Sequence, residues 1–397
     1  MAKNSFFGSQ PLTYSDVRHV ECAVIPPSSF GGAVDLLNRA TMTIDLDRIR
    51  ANFARLKMIA PRADCAAVVK GDAYGHGMLP CAKALIQCGA RTFFVATSAD
   101  GAVLRSISPE ITICVLSGIL PGEEGYFIHH DLIPVLNDLG QIELWATKAR
   151  KLEKKLDAYL HFDSGMNRLG LTSEDAELLG ADDSAFKYVH PLCYMSHLSA
   201  ADDLDFDNCE RQRTRFLSMI SKLPHANLSL ANSAASYFGR QFTLDMYRPG
   251  KATFGINPAT GRANPMQQPA TLHAPLIQLK NMRRSEAVGY SSTFRLSEQS
   301  RIATVGIGYT NGYPRTASNR AHVSIRGFQA SVIGRVSMDL ITVDVSSIPE
   351  RLLHPGAPVE ILGPNISDSI LANSSGTIEH DVLISLGRGS VRQYINL

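Results

Sequence analysis

The stretch Ala66-Ala-Val-Val-Lys70-Gly-Asp-Ala-Tyr74-Gly-His-Gly77 runs from a buried apolar strand into a glycine-rich turn, with a lysine at the junction. An ammonium group is costly to bury, so the pKa of a lysine placed there falls toward nucleophilic use, as in a Schiff-base lysine. Taken alone, a lysine that snorkels its head out of the strand end is the simpler account. The rest of the chain weighs between the two.

Outward from this stretch, short β-branched and apolar runs alternate with longer amphipathic segments. Strands are expected at CAAVVK (65–70), TFFVAT (92–97), ITICVLS (111–117), IPVLND (133–138), DAYLHFD (157–163), VHPLCYMSH (189–197), NLSLAN (227–232) and DMYRPG (245–250). Between most of them lie segments of helical periodicity, such as Cys209 to Leu223 with Phe216, Met219 and Ile220 on its inner face. Eight strands with intervening helices predict an α/β fold, a (β/α)₈ TIM-like barrel. Before the barrel run, Thr41-Met-Thr-Ile-Asp-Leu46 alternates like a strand, and Asp47 to Ala60 puts Ile49, Phe53, Leu56 and Ile59 on one helical face.

After Gly255 the texture changes. INPATGRANPMQQP reads as a Pro/Asn/Gly-rich linker, and HVSIRG, ASVIGRV, LITVDV and VEILG follow as short strands without long helices between them. The expected organisation is a lead-in over 1–40, the barrel over 41–260 and a mostly β C-terminal domain over 265–397. The first strand, 41–46, is a candidate to pair with that second domain instead of the barrel.

Composition narrows the function. The chain has 397 residues, 39 Lys+Arg against 37 Asp+Glu and a net charge of +2, which argues against a nucleic-acid partner. Apolar runs are too short for a membrane span, and polar residues interrupt any signal-peptide core near the N-terminus. The seven cysteines include no Cys-x-x-Cys pair, so reduced thiols in the cytoplasm are expected rather than a disulfide framework or a metal site.

Four further signals match the first in kind. His161-Phe-Asp-Ser-Gly-Met-Asn-Arg168-Leu-Gly170 leads from a strand into a glycine turn that carries an arginine. Met195-Ser-His197-Leu closes the sixth barrel strand, Leu230-Ala-Asn-Ser233 leads to a serine at a helix start, and Tyr247-Arg248-Pro-Gly250-Lys251 offers free backbone N–H groups. Each has a plainer account: a surface ion pair for Arg168, a satisfied core imidazole for His197, an N-cap for Ser233. Together they put five polar groups at the C-terminal ends of barrel strands, where barrel enzymes keep their active sites. Phosphate often binds there after strands seven and eight, the places of Ser233 and Gly250.

On these motifs the sequence resembles the alanine racemases, pyridoxal-phosphate (PLP) enzymes built as a barrel plus a β domain. Further matches are VGYSSTF (288–294), GIGYTNGYPR (306–315) and GRVSMDL (334–340), and the resemblance spans about residues 41–397. It implies that Lys70 carries PLP covalently and acts as acid or base on one face of the substrate α-carbon. Tyr290 from the second subunit of a homodimer acts on the opposite face, and His197 beside it lowers its pKa. Arg248 faces the pyridine nitrogen. Arg168 bonds the phenolic oxygen of the cofactor and the substrate carboxylate. Tyr74, Ser233 and the backbone at Gly250 and Lys251 hold the phosphate, while Tyr309 and the Met338 N–H close the substrate side.

The implied reaction interconverts L- and D-alanine in a bacterial cytoplasm, supplying D-alanine for peptidoglycan or catabolising it. Broad-specificity or serine racemisation is the competing reading, because one methylene changes discrimination by only about 1–3 kcal/mol. A PLP-dependent decarboxylase would be expected to show His-x-Gly-Ser and a catalytic C-terminal cysteine, and neither is present. A non-catalytic PLP-binding protein would lack the β domain that carries Tyr290. Three departures stand out. His161 replaces a lysine that many relatives carbamylate to support the arginine. The C-terminus ISLGRGSVRQY offers only Ser390 or Tyr394 for a usual phosphate-contacting tyrosine. Ser337-Met338-Asp339 replaces Cys-Met-Asp.

Overall fold

Thr41–Asp45 forms β1, and the Asp45 carboxylate accepts the Asp47 amide at 3.0 Å to cap the helix Leu46–Lys57 that follows. Ile49, Phe53 and Leu56 are buried on its inner face, whereas Ile59 lies past the helix end and packs half-buried on the core. The structure, a computed structural model, describes residues 40–397; all but the last residue of the expected lead-in, Cys22 included, lies outside the described residues.

The barrel strands follow in order: β2 (Asp64–Cys65), β3 (Ala67–Val68), β4 (Thr92–Val95), β5 (Thr112–Val115), β6 (Ile133–Leu136), β7 (Leu156–His161), β8 (Val189–Met195), β9 (Asn227–Ser229) and β10 (Met246–Tyr247). All pair in parallel, in the order β2-β10-β9-β8-β7-β6-β5-β4-β3. Because β2 and β3 are consecutive pieces of chain, the ring closes. The single strand expected over 65–70 is split for that reason: the Ala66 amide still bonds Tyr247 at 3.0 Å, and the Val69 amide has switched to Phe94 at 2.9 Å. Alternate residues fill the interior, among them Ala66, Val68, Phe94, Cys114, Val135, Tyr159, Cys193 and Met195.

The second sheet begins with β11 (Ala270–Met282) and the small hairpin β12 (Ala287–Val288) and β13 (Phe294–Arg295). It continues through β14 (Ser300–Val305), β15 (His322–Ile325), β16 (Phe328–Val332), β17 (Ile341–Asp344), β18 (Pro358–Leu362) and β19 (Val391–Ile395). The thirteen-residue β11 pairs with β18 along its first half and with β14 along its second, which bends β14-β17-β16-β15-β18-β11 into a closed ring. β1 attaches outside that ring, antiparallel to β11 and parallel to β19, so the first described strand belongs to the C-terminal sheet. Two helices, Asp368–Ser375 and Glu379–Gly389, interrupt the mostly β domain before β19.

Directly after β3 the backbone does something L-residues avoid. Gly71, Asp72, Ala73 and Tyr74 have φ of 64°, 56°, 54° and 54°, a left-handed turn. Each of the three non-glycine residues costs about 1–2 kcal/mol in that conformation. Compensation comes from Ala73 N–H to Val69 O at 2.9 Å, Gly75 N–H to Gly71 O at 3.0 Å and Gly77 N–H to Asp72 O at 2.9 Å. The Asp72 carboxylate accepts the Met78 amide at 2.7 Å and pairs with Arg392 of β19. The helix Glu379–Gly389 lies against this turn so closely that a methyl at Gly75 would collide with the Leu383 carbonyl.

Gly75 also has φ 85°, so Gly75→Ala combines backbone strain with a backbone clash. The expected loss, read from urea unfolding, is about 2–5 kcal/mol. Gly122, φ 94° with nothing near its missing Cβ, is the control: Gly122→Ala carries the strain alone and costs about 1–2 kcal/mol.

Candidate active site

Five of the expected residues stand just past the C-terminal ends of barrel strands: Lys70 after β3, Arg168 after β7, His197 after β8, Ser233 after β9 and Arg248 after β10. The strands bring the charged ones together. Burial, then Arg168 and Arg248, lowers the pKa of the Lys70 ammonium. Burial, then Arg248, Lys70, Arg168 and His161, drives His197 well below the usual histidine range. Among the groups acting on Lys70 and His197 there is no carboxylate. The site is a cluster of cations and neutral imidazoles, complementary to an anion.

Arg248 is nearly fully buried, and the barrel supplies what a buried guanidinium needs. Its Nη1 donates to Ser229 Oγ, and its Nη2 donates to Ser196 O at 2.6 Å and Leu230 O at 3.4 Å. Phe94 lies beneath it, 6.0 Å from Cζ to ring centroid. Burial lowers its pKa only to about 10, so it keeps its proton at neutral pH. Ser164 Oγ and Ser196 Oγ, 2.7 Å apart, brace the same corner.

His161 occupies the place of the missing lysine, and its state follows from its neighbour. Asn137 donates its amide N–H to Val135 O at 2.8 Å and Leu116 O at 3.3 Å, so its amide oxygen faces His161 Nδ1 at 2.8 Å as an acceptor. Nδ1 therefore carries the proton and Nε2 a lone pair. Burial, then Arg248, holds His161 at about 4, so the ring is neutral. The nearby Asp163 turns its Oδ1 to its own loop, where it accepts the Gly165, Met166 and Asn167 amides at 2.9, 2.9 and 3.1 Å.

To one side lies a cradle of hydroxyls and amides. The Tyr74 ring, stacked on Phe254 at 5.3 Å, sends its hydroxyl over Gly250, where any Cβ would strike it. Ser233 Oγ accepts the Ala252 amide at 3.2 Å, and Lys251 pairs with Asp202 at 3.0 Å. Neutral donors crowded beside glycine are the donor set a phosphate monoester takes, so these residues fit one. Tyr394 is held elsewhere: β19 places its hydroxyl against Gly77, and Ser390 Oγ is buried without a partner.

The other expected residues form a separate exposed patch on the C-terminal domain. Tyr290 is 70% exposed, Met338 55% and Tyr309 44%, and no hydrogen bond or charge links them to Lys70 within the chain. Tyr309 N–H bonds Ser337 O at 3.1 Å and Thr310 N–H bonds Met338 O at 2.9 Å, which ties these two loops together. Ser337, the residue that replaces cysteine, accepts the Leu340 amide at 3.2 Å and tightens the Met338 turn. Tyr290 sits on a turn with φ of 72° at Gly289 and 58° at Ser291, braced by Arg335 Nη1 donating to Ser291 Oγ at 3.1 Å.

The sequence reading missed Asn137, Ser196, Ser229 and Asp202, which hold His161, Arg248 and Lys251. Ser229 alone carried a signal, as a polar residue inside an apolar strand.

A lysine desolvated among arginines, next to a phosphate cradle on a barrel with an appended β domain, defines a barrel enzyme of pyridoxal-phosphate chemistry. Family models for the alanine racemase N-terminal and C-terminal domains match residues 44–258 and 270–394. The alanine racemase of Rhodospirillum rubrum is 39% identical over 357 residues, 89% of this chain and 96% of that one; that of Acidiphilium cryptum is 40% identical over 351 residues, 88% and 97%. Among solved structures, alanine racemase from Bartonella henselae with covalently bound pyridoxal phosphate aligns with TM-score 0.87 at 33% identity, covering 90% of this chain and 99% of that one. The biosynthetic alanine racemase from Pseudomonas aeruginosa aligns with TM-score 0.84 at 33% identity, covering 91% and 100%. The chain belongs to the alanine racemase family, which makes it a PLP-dependent isomerase.

Two buried histidines predict an acid dependence of stability. Burial holds both His76 and His161 at about 4, against 6.5 for an ordinary histidine. Between these values the unfolded chain binds protons that the native state refuses, so stability rises with pH through this window and is lost as pH falls. Urea unfolding of the cofactor-free protein at pH 7 and pH 5 should differ by about 2 kcal/mol for each histidine, and His76→Gln should remove its share.

Proposed function

We propose that the protein racemises alanine at a site shared by two copies of the chain, with Lys70 serving one face of the substrate α-carbon and Tyr290 of the partner subunit the other. The observation that carries this reading is the separation of the two groups. Lys70 is desolvated inside the barrel mouth, while Tyr290 stands 70% exposed on the other domain beside the Tyr309 and Met338 loops. A tyrosine that has to meet a buried lysine across one α-carbon is supplied by a second molecule.

When bound, PLP supplies an electron-withdrawing ring that acidifies the α-C–H of the attached amino acid. The chain's residues do the rest. Lys70 Nζ, with its basicity lowered by burial and two arginines, takes a proton from one face or returns it. The Tyr290 hydroxyl of the partner subunit performs the complementary transfer on the opposite face. The hydroxyl enters a cationic site around His197, on which Arg248, Lys70 and Arg168 act, so negative charge that develops on its oxygen meets positive charge.

Arg168 anchors the substrate carboxylate and the phenolic oxygen of the cofactor by charge-assisted bonds. The lone pair on His161 Nε2 is the acceptor that steadies the guanidinium where an anion would otherwise stand. Arg248 spends Nη1 and Nη2 on Ser229, Ser196 and Leu230, which leaves Nε for the pyridine nitrogen. A guanidinium that keeps its proton does not protonate that nitrogen, and this limits side reactions. Tyr74, Ser233 and the amides at Gly250 and Lys251 take the phosphate, and Tyr309 and the Met338 N–H of the partner subunit close the substrate side. The expected setting is the bacterial cytoplasm, where the product is D-alanine for peptidoglycan or L-alanine for catabolism; the six described cysteines are all free thiols, as that compartment favours.

Three experiments test this reading. Lys70→Ala should abolish racemisation of both enantiomers, and borohydride reduction followed by peptide mass spectrometry should find no phosphopyridoxyl label on the chain. Label at another lysine in the variant overturns the assignment. Tyr290→Ala should slow α-deuterium exchange from one alanine enantiomer by at least about 100-fold while sparing the other. An equal mixture of the two inactive variants should regain activity on subunit exchange, and no recovery despite demonstrated exchange counts against a shared site.

A further inference from the structure

One side chain at the phosphate end has no part in the site as described. His380 opens the helix Glu379–Gly389, which runs along the left-handed turn after Lys70. Farther along the helix, Ile384 faces Gly71, and a Cβ at Gly387 would strike the Gly75 carbonyl. The His380 imidazole meets the Tyr74 ring edge-on at 6.4 Å and 74°, while Phe254 is stacked on Tyr74 at 5.3 Å. Between them the two rings fix the direction of the Tyr74 hydroxyl.

His380 Nδ1 is buried and has no hydrogen-bond partner. A desolvated ring nitrogen left unpaired is a cost to the fold unless something else bonds it. The charged groups around the ring are Lys251 and Lys70, which with burial lower its pKa, and Glu379 and Asp202, which raise it. Two of these, Lys251 and Asp202, are occupied with each other at 3.0 Å. The unpaired nitrogen therefore belongs to a ring that edges Tyr74, whose hydroxyl stands over Gly250, and no acceptor lies within hydrogen-bond reach of it.

We propose that His380 is a further side chain of the phosphate pocket, its Nδ1–H donating to a phosphate oxygen of the cofactor next to the Tyr74 hydroxyl. The proposal rests on the reading that Tyr74, Ser233 and Gly250 hold the phosphate. It also gives the helix Glu379–Gly389 a direct part in holding the cofactor, alongside its packing against the turn.

The test compares PLP with pyridoxal, which lacks the phosphate, by equilibrium dialysis against full-length cofactor-free protein. His380→Phe keeps an aromatic edge on Tyr74 and removes the donor; His380→Asn places an amide N–H where Nδ1 lies. His380→Phe should weaken PLP binding roughly tenfold to a hundredfold and leave pyridoxal within about threefold of wild type. His380→Asn should recover part of the loss, and His380→Ala answers the same question if His380→Phe does not fold. Equal loss for both ligands means that His380 acts only through the packing of Tyr74, and it overturns the proposal, as does unchanged PLP binding. Ser233→Ala run in parallel separates the failures. A phosphate-selective loss there and none at His380 overturns this proposal alone, whereas no selective loss at either position overturns the placement of the pocket.

Discussion

The Asp72–Arg392 ion pair and the left-handed turn it secures are what the rest of the site depends on. A parallel strand that ends in a lysine would ordinarily run on into a right-handed helix, carrying Tyr74 away from β9 and β10. Four successive residues of left-handed backbone fold the chain back instead. They leave Lys70 over the barrel mouth and bring the Tyr74 hydroxyl to Gly250. That conformation is unfavourable for Asp72, Ala73 and Tyr74, so it persists only where the surroundings over-determine it. The surroundings come from the other domain: Arg392 on β19 and the helix before it. Lys70 is thus positioned by residues more than 300 places away in the chain.

Electrostatics follows from the same geometry. Lys70, Arg168, Arg248, His161 and His197 share one end of the barrel, with no carboxylate acting on Lys70 or His197 and Asp163 alone acting on His161, while the chain as a whole is nearly neutral at +2. The protein manages the local excess in two ways. It keeps both histidines uncharged by burial, and it surrounds Arg248 with a hydroxyl and two carbonyls instead of an anion. The remaining charge is balanced when an anionic ligand arrives, so the cluster is built for its occupant more than for the stability of the empty fold.

Much of this was legible in the sequence because barrel strands buried on both faces read as continuous apolar runs, and a polar residue at the end of such a run stands out. Lys70, Arg168, His197 and Arg248 were all found that way. The alternation in Thr41–Leu46 marked β1 as a different kind of strand, one that fits the edge of the C-terminal sheet. What stayed hidden was of two kinds. Backbone handedness at Asp72, Ala73 and Tyr74 cannot be read from residue types that normally avoid it; only the glycines at 71, 75 and 77 hinted at a turn. Partners distant in sequence left no local trace either, such as Asn137 for His161, Asp202 for Lys251 and Glu379–Gly389 for the turn. That helix was overlooked because its segment lies in a domain whose other runs all read as strands.

The placement of β1 bears on how the molecule is made. β1 is the first described strand to leave the ribosome, yet its neighbours are β11, which starts about 225 residues later, and β19, which ends at Ile395. At synthesis speeds of about 5–20 residues per second, the wait for β11 alone is roughly 10–45 s. During that interval the barrel strands β2 to β10 emerge one after another, while Thr41–Asp45 stays an unpaired strand. The last described strand, β19, then closes the sheet over it and delivers Arg392 to Asp72. Completion of the setting of Lys70 therefore waits for β19, and a nascent chain cut short before that strand carries Lys70 without the arginine that braces its turn.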